Sequence, residues 1–281
     1  MKKNIALILI LAMAATMLAG CGSAASSAGM ADSSAAEPVA SAESAEESSA
    51  AEEPAAEQPA EEEGVAIFDG STFEGWRGYN TDHVPGAWTI EDGCIKINGS
   101  GRGEAGAVDG GDIIYTTKFK NFEFTFEWKV SEGANSGVFY MAQEVPGLSI
   151  YQTCPEYQIL DNERHPDAKL GKDGNRQSAS LYDIIPAKPQ NAKPAGEWNT
   201  AKILVYEGTV AHFQNGEQVL EYHMWTPKWK EMLDGSKFSE ESMPESYEYI
   251  LNCGGENHEG YIGLQDHGDT VWYRNLRVKE L

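Results

Sequence analysis

Positive charge is the first thing this sequence has little of. It holds 21 Lys and Arg against 44 Asp and Glu, which gives a formal net charge of −23 at pH 7. Such a surface repels the phosphates of nucleic acids and of anionic lipids. We therefore expect no nucleic-acid partner, and a neutral ligand such as a sugar fits the charge better.

Cysteine is scarce as well, with four residues in the chain. One of them, Cys21, ends an N-terminal leader, and Cys94, Cys154 and Cys253 remain. Their spacing contains no CxxC pair, so it indicates no structural zinc site. One disulfide could form among the three outside the cell, but we predict that they are buried free thiols.

Long apolar runs are missing after residue 18, so no later segment is long enough to span a bilayer. The one run, residues 5–18, follows Lys2 and Lys3 and leads into Leu18-Ala19-Gly20-Cys21. This order of charge, apolar stretch and small residues is typical of a secretory signal. LAGC also matches the bacterial lipobox, whose cysteine is acylated and becomes the new N-terminus. We expect residues 1–20 to be a lipoprotein signal peptide and Cys21 to anchor the exported chain to the cell envelope; an ordinary signal peptide with a chance cysteine is the alternative.

Residues 22–63 lack every aromatic residue and all Leu, Ile, Lys and Arg. A segment of this composition cannot bury enough apolar surface to offset its conformational entropy. Its acidic pairs repel one another and favour extended chain. We expect residues 21–63 to be a lipidated, disordered tether that holds a single folded domain, residues 64–281, away from the membrane.

Helical periodicity is rare in residues 64–281, and alternation of apolar and polar residues is common. From Phe122 to Val130 the apolar side chains fall on one face, and Glu123 and Glu127 fall on the other. This pattern predicts a β-strand. Further strands are predicted at 87–90, 94–97, 113–115, 138–142, 157–160, 200–206, 210–214, 218–222, 261–265 and 271–278, and one short helix at 228–233.

Turn chemistry supports the same arrangement. Asn215-Gly216 is typical of a type I′ hairpin, and Glu207-Gly208 is a second tight turn. The alternation slips between Tyr273 and Leu276, which predicts a β-bulge near Arg274-Asn275. About a dozen strands joined by short turns predict an all-β fold, a sandwich of two sheets.

Polar side chains at strand positions or strand ends mark the candidate sites. Glu156 and Gln158 share one strand face, where they would either line a groove or lie on a solvated surface. Asp266 and His267 follow a strand, and a carboxylate beside an imidazole suits a general base, provided that a turn at Gly268 lets the two converge. Other members of these polar clusters are Glu127, Asn135, Asp161, His165, Asn199, Gln265, Trp272 and Arg274.

A glycosidase with two carboxylates on one strand is disfavoured. Glu123 and Glu127 share a face, but four residues at about 3.3 Å each separate their backbones by about 13 Å. Retaining and inverting glycosidases need carboxyl groups about 5 to 9.5 Å apart. An ordinary strand therefore does not build that site.

A series of short segments is spread over residues 64–281. They are Phe68-Asp69-Gly70, Glu74-Gly75-Trp76, Gly110-Gly111-Asp112-Ile113-Ile114, Phe122-Glu123-Phe124, Asn135-Ser136-Gly137-Val138-Phe139-Tyr140, Pro155-Glu156-Tyr157-Gln158-Ile159-Leu160-Asp161-Asn162, Leu181-Tyr182-Asp183, Lys193-Pro194-Ala195-Gly196-Glu197-Trp198-Asn199, Gly263-Leu264-Gln265-Asp266-His267-Gly268 and Val271-Trp272-Tyr273-Arg274-Asn275-Leu276. Together these segments resemble the 3-keto-disaccharide hydrolase family. Their number and order carry the resemblance, since no single motif is diagnostic.

The resemblance implies a concanavalin-like jelly roll that acts on glycosides oxidised at C3. A C3 ketone acidifies the C2 hydrogen, so that a base can form an enolate, which expels the C1 substituent before water adds. By position, His267 or His165 would be the base, Arg274 or a bound cation would stabilise the enolate, and Glu156 or Asp161 would assist the leaving group.

The resemblance also implies substrate contacts and leaves a cation site open. The residues that we expect to bind substrate are Glu127, Asn135, Gln158, Asn199, Gln265, Asp266 and Trp272. A divalent cation could be held by Glu127, Glu156, Asp161 or His165, although their spacing specifies no metal.

One departure from the family pattern lies at residues 223–260, which look longer than the corresponding part of many relatives. We expect an insertion over one rim of the groove, where Trp225 or Trp229 either stacks on a sugar ring or packs in the core. Two alternatives to an enzyme remain from the sequence: a non-catalytic carbohydrate-binding protein and a structural surface protein, because fold does not fix function.

Overall fold

The computed structural model describes residues 64–101 and 106–281. The predicted signal peptide, Cys21 and the tether therefore lie outside the described residues. The strands of the described part are β1 (Val65–Ala66), β2 (Trp76–Gly78), β3 (Trp88–Glu91), β4 (Cys94–Ile97), β5 (Ile113–Phe119), β6 (Phe122–Val130), β7 (Asn135–Ala142), β8 (Glu156–Leu160), β9 (Asn199–Tyr206), β10 (Thr209–Gln214), β11 (Glu217–His223), β12 (Gly260–Leu264) and β13 (Val271–Glu280).

Two antiparallel sheets form from these strands. The large sheet has eight strands in the order β11-β10-β9-β6-β13-β4-β3, with β1 paired to β13. The small sheet has five strands in the order β2-β5-β12-β7-β8. The predicted all-β, two-sheet fold of jelly-roll type is thereby confirmed.

The core lies between the sheets because each contributes an apolar face. On β6 the buried residues alternate with half-buried polar ones along the whole strand. Phe126 of β6 meets Tyr157 of β8 edge to face, with ring centroids 5.6 Å apart. Since neighbouring residues of a strand point to opposite faces, Glu156 and Gln158 lie on the outer face of the small sheet.

Local sequence signals are borne out at the turns. Both residues of Asn215-Gly216 have positive φ, 48° and 84°, as a type I′ turn requires. The pairing of β13 with β6 shifts between Arg274 and Arg277, and Asn275 has a φ of 54°, so the predicted bulge is present.

Strands β1 and β2 were not predicted, because two and three residues are too short to show alternation. The ends of several predicted strands also move. For example, β5 continues to Phe119 and β7 begins at Asn135.

Residues 224–259, within the insertion predicted at 223–260, form a helical excursion between β11 and β12. It contains α1 (Pro227–Asp234), where one short helix was predicted, and α2 (Tyr247–Leu251), which was not. The Thr226 hydroxyl caps α1 by accepting the backbone N–H of Trp229. The Trp229 side chain is fully buried, and Trp225 stacks on His258 at 3.7 Å, so both indoles are used in packing.

The three cysteines of the described residues, Cys94, Cys154 and Cys253, are buried free thiols, as predicted. No helix in the described ranges is both long enough and apolar enough to cross a lipid bilayer.

Candidate functional site

A cavity of about 300 Å³ opens on the outer face of the small sheet. A larger groove, of about 530 Å³, crosses the outer face of the large sheet, but its walls are mostly strand side chains of that open face. The smaller cavity, called the site cavity below, collects the buried polar groups. Its lining residues are Asp112, Asn135, Ser149, Tyr151, Glu156, Gln158, Tyr182, Lys237, Gln265, Asp266 and His267.

Glu156 enters the cavity from β8 and lies over a glycine of the neighbouring strand. Gly137 of β7 pairs with Gln158 of β8. A Cβ atom at position 137 would lie 2.8 Å from Cδ and 2.9 Å from Cγ of Glu156. Real Cβ atoms essentially never approach so closely, so the missing side chain of Gly137 provides the space that the Glu156 carboxyl occupies.

The Glu156 carboxyl is buried and unpaired. Only 5% of the residue is exposed, and no described residue forms a hydrogen bond or ion pair with the carboxyl. Burial raises its pKa to about 8, against the opposing field of Lys237. Burial thus favours the protonated form of this side chain, and its enclosed position corrects the alternative of a solvated surface position.

Lys237 is brought to the cavity by the helical excursion, in the segment between α1 and α2. Its Nζ lies 4.1 Å from the ring centroid of Tyr182 and 5.6 Å from that of Tyr151. The backbone N–H of Lys237 donates to Oδ2 of Asp183 at 2.7 Å, which fixes the segment. Burial lowers the pKa of the Lys237 ammonium, while the field of Glu156 acts in the opposite direction.

Asp112 and Asp266 form the base of the loop that carries His267. The backbone N–H of Asp266 donates to Oδ1 of Asp112 at 2.9 Å. Burial raises the pKa of Asp112 to about 7. The Asp266 carboxylate accepts backbone N–H groups of Ala107, Gly111 and Gly268. The Asp266 carboxylate thus holds the surrounding loops in place. The prediction that it orients the His267 imidazole is therefore wrong.

Three unpaired polar atoms mark this cavity as a ligand site. Oδ1 of Asn135, Oε1 of Gln265 and Nδ1 of His267 are buried and have no hydrogen-bond partner among the described residues. A buried polar atom without a partner costs about 1–3 kcal/mol. A ligand or water that entered the cavity would remove that cost, so the three residues indicate a polar ligand.

His165 and Asp269 stand beside His267. The two imidazole rings meet edge to face with centroids 5.9 Å apart. One ligand-type atom from each of the three residues lies within 4.8 Å of the others, so this group approaches the geometry of a cation site. However, Nδ1 of His165 accepts the backbone N–H of Asp167 at 3.2 Å. A neutral His165 then carries its proton on Nε2 and has no free lone pair for a metal.

Several predicted residues lie on the opposite side of the sandwich. Arg274 of β13 donates to the Glu127 carboxylate at 2.7 Å, on the outer face of the large sheet, and its guanidinium stacks on Trp198 at 4.0 Å. Trp272 lies on the same face, where Nζ of Lys129 is 4.5 Å from the centroid of its ring. Both sheets separate these residues from the site cavity. This placement corrects three predictions: Arg274 as enolate stabiliser, Glu127 and Trp272 as substrate ligands, and Glu127 as part of a cation site.

Asp161 and Asn199 serve the local backbone. The Asp161 carboxylate accepts N–H groups of Gly133, Glu163 and Arg164. Burial raises the pKa of Asp161, but these bonds outweigh it and the net shift is downward, so it stays ionised and is no acid. Asn199 is fully buried in β9, where its Oδ1 accepts the backbone N–H of Lys193. The predicted cation set therefore does not assemble: only Glu156 of its four members lines the cavity.

The sequence analysis assigned no role to five lining residues: Asp112, Ser149, Tyr151, Tyr182 and Lys237. Asp112 and Tyr182 stand inside segments that carried the family resemblance, and that position was their only signal. Lys237 had none, because its place depends on how the helical excursion folds back over the sheet.

Comparison with known proteins gives one family over the folded part of the chain. Residues 63–279 match the model of the 3-keto-alpha-glucoside-1,2-lyase-like domain. A 3-keto-disaccharide hydrolase from Bacteroides thetaiotaomicron is 65% identical over 226 residues, which are 77% of this chain and 78% of that protein.

Solved structures agree with the fold. A proposed glycosyl hydrolase from Parabacteroides distasonis, 29% identical, superposes with a TM-score of 0.64 over 78% of this chain and 94% of that one. A second from the same organism, 23% identical, superposes with a TM-score of 0.54 over 73% of this chain and 99% of that one.

Proposed function

Because the chain belongs to the family of 3-keto-α-glucoside-1,2-lyase-like domains, we propose that it cleaves glycosides whose sugar carries a ketone at C3. One observation of the site supports this most. An imidazole, a buried carboxyl without a partner among the described residues and unpaired amide oxygens line one cavity. The other two carboxyls that line it, Asp112 and Asp266, accept backbone N–H groups. Such a set suits elimination better than ordinary glycoside hydrolysis.

The first step is removal of the C2 proton. His267 lines the cavity and is the base, because His165 is not among the described lining residues and uses Nδ1 to accept the backbone N–H of Asp167. The C2–H bond breaks, its proton moves to the imidazole, and its electron pair forms an enolate with the C3 carbonyl. Asn135, Gln158 and Gln265 supply the amide groups that hold the sugar hydroxyls in this position.

Elimination and hydration then complete the reaction. The enolate re-forms the ketone as the C1–O bond breaks, and the departing oxygen takes the proton of Glu156. Water adds to the C1–C2 double bond of the enone: its hydroxyl joins C1, its proton returns to Glu156, and the imidazolium returns its proton to C2. The net result is hydrolysis, and release before the addition of water gives the lyase outcome.

The test uses two nitrophenyl glucosides that differ only at C3, one a ketone and the other an alcohol. We expect the purified protein to release nitrophenol from the ketone alone. His267→Ala should abolish release, whereas His165→Ala should reduce it less. Binding of the ketone without release would instead establish a non-catalytic carbohydrate-binding protein. The absence of both binding and release would refute the proposal.

We also propose, from the sequence, that the mature chain begins at acylated Cys21 and acts outside the cytoplasm on the cell envelope, with residues 21–63 as the tether and 64–281 as the catalytic domain. In a bacterial host, incorporation of labelled palmitate into the wild-type chain and its loss in Cys21→Ser would support this. Equal labelling of the two chains would contradict it.

A further inference from the structure

The site cavity contains one cationic side chain among its described lining residues, Lys237. The proposed reaction develops a negative charge on the sugar, at the C3 oxygen, when the C2 proton leaves. Arg274, the cation that the sequence suggested for this charge, lies on the far side of both sheets. The cavity therefore needs its own positive group, and among its described lining residues Lys237 is the one placed to supply it.

Lys237 is held in place without being neutralised by a partner. Its ammonium contacts the faces of Tyr182, Phe238 and Tyr151, at 4.1, 5.1 and 5.6 Å from their centroids. No carboxylate of the described residues lies within ion-pair distance of its Nζ. The acidic groups below it are occupied, since Asp167 and Asp183 both bind Arg176, at 2.7 and 2.6 Å.

Glu156 likewise lacks a partner among the described residues of this cavity, although it is an acid rather than a cation. Its carboxyl is buried and unpaired, and it faces the same cavity. A buried acid and a half-buried amine that line one cavity without a hydrogen bond or ion pair between them leave room for a ligand oxygen. Buried polar groups are normally hydrogen-bonded, so the lack of a hydrogen-bond or ion-pair partner for either group among the described residues indicates that substrate completes the contacts.

We propose that the Lys237 ammonium donates a hydrogen bond to the C3 oxygen of the sugar and stabilises the enolate formed there. The inference rests on the proposed function and names a catalytic residue for it. In the resting complex the bond polarises the ketone; as the C2 proton leaves, the oxygen becomes an anion and the bond becomes an ion pair. No covalent bond to Lys237 forms.

This arrangement also makes the cavity selective for the oxidised sugar. An alcohol at C3 develops no negative charge, because the neighbouring C2–H bond is not acidic. The ammonium therefore contributes to the transition state of the ketone alone, and interactions that strengthen in the transition state are those that accelerate a reaction.

The experiment compares Lys237→Met and Lys237→Arg with a matched control, Lys228→Met, which changes a lysine on α1 whose side chain is 67% exposed and pairs with Glu231. On the nitrophenyl 3-keto-glucoside, Lys237→Met should lower kcat by about 10²–10³-fold, the usual effect of removing one oxyanion-binding donor. Lys237→Arg should recover part of that loss, and the control should match the wild type.

Two further measurements separate catalysis from structure. Exchange of the C2 hydrogen with D₂O should slow in Lys237→Met in parallel with kcat. Affinity for the unoxidised glucoside should stay within about threefold of the wild type, since the C3 alcohol carries no developing charge.

Wild-type kcat in Lys237→Met would refute the inference and leave the proposed function intact. So would an equal loss of affinity for both glucosides, which would indicate a structural role, or a borohydride-trapped adduct on Lys237, which would indicate an imine. No release by the wild-type protein would refute the proposed function and, with it, this inference.

Discussion

Gly137 provides the space for the proposed acid, Glu156, and Gly137→Ala tests that relation with one methyl group. The new Cβ would lie 2.8 Å from Cδ of Glu156, whereas ordinary contacts begin at 3.4 Å. The carboxyl must therefore move by at least about 0.6 Å, and its Oε1 by more, because Oε1 is the atom nearest to the new methyl group. A misplacement of about 1 Å at a reacting group costs up to about 10²-fold in rate.

The fold should tolerate the same substitution. The obstacle is the flexible end of a side chain, and Gly137 does not have positive φ. Replacing glycine by alanine also restricts the unfolded chain, which stabilises a protein by about 0.4–1 kcal/mol where the backbone is compatible. We expect a fall in kcat of about 10–100-fold with a change in the free energy of unfolding below about 1 kcal/mol.

The assay is release of nitrophenol from the 3-keto-glucoside, together with urea unfolding of each variant. Gly235→Ala is the control, because its Cβ would meet atoms only at 3.6 Å, after the end of α1. In a Glu156→Ala background the second substitution should cost nothing further, since the atoms that it displaces are gone. Full activity of Gly137→Ala, or additive losses in the double variant, would refute this account of the acid.

Three other predictions follow from the structure. Glu156→Gln should flatten the pH dependence of stability, measured as urea midpoints. Because folding raises the pKa of Glu156 from 4.5 to about 8, unfolding releases a proton between those pH values, and the wild type loses stability as the pH rises through them. Arg274→Ala should leave kcat within about twofold and lower the unfolding free energy by about 1 kcal/mol, because its partly exposed pair with Glu127 lies away from the cavity; a hundredfold loss of kcat would contradict the assignment. A thiol reagent should modify no cysteine of the folded mature protein and three after denaturation, because Cys94, Cys154 and Cys253 are buried and the proposed acylation blocks Cys21; four reactive thiols would contradict the acylation.

The sequence predicted the sheets well because their signals are local. The alternation along β6 and the positive φ of Asn215-Gly216 depend on neighbours within a few residues. The same alternation already placed Glu127 on the face of β6 that points away from the core, whereas Phe126 points into the core. It could not show that β8 belongs to the other sheet, so it gave no reason to separate Glu127 from Glu156.

The site was predicted in part for the same reason. Glu156, Gln158 and His267 stand in a strand or directly after one, and all three line the cavity. Lys237 lies in irregular chain between two short helices, where no periodicity applies, and its position is set by tertiary contacts such as the hydrogen bond from its backbone N–H to Asp183. A tertiary contact of this kind leaves no mark in neighbouring residues.

The helical excursion has a consequence for how such a site can diversify. The proposed acid comes from a strand and the proposed base from a loop anchored to the sheet, whereas the proposed cation comes from a segment connecting β11 to β12. Rigid scaffolds tolerate exchange of such connections more readily than of their strands. A hybrid that keeps both sheets and replaces residues 224–259 would retain the proton-transfer groups and change the charge opposite the reacting oxygen, so substrate range and proton chemistry can evolve on separate parts of the chain.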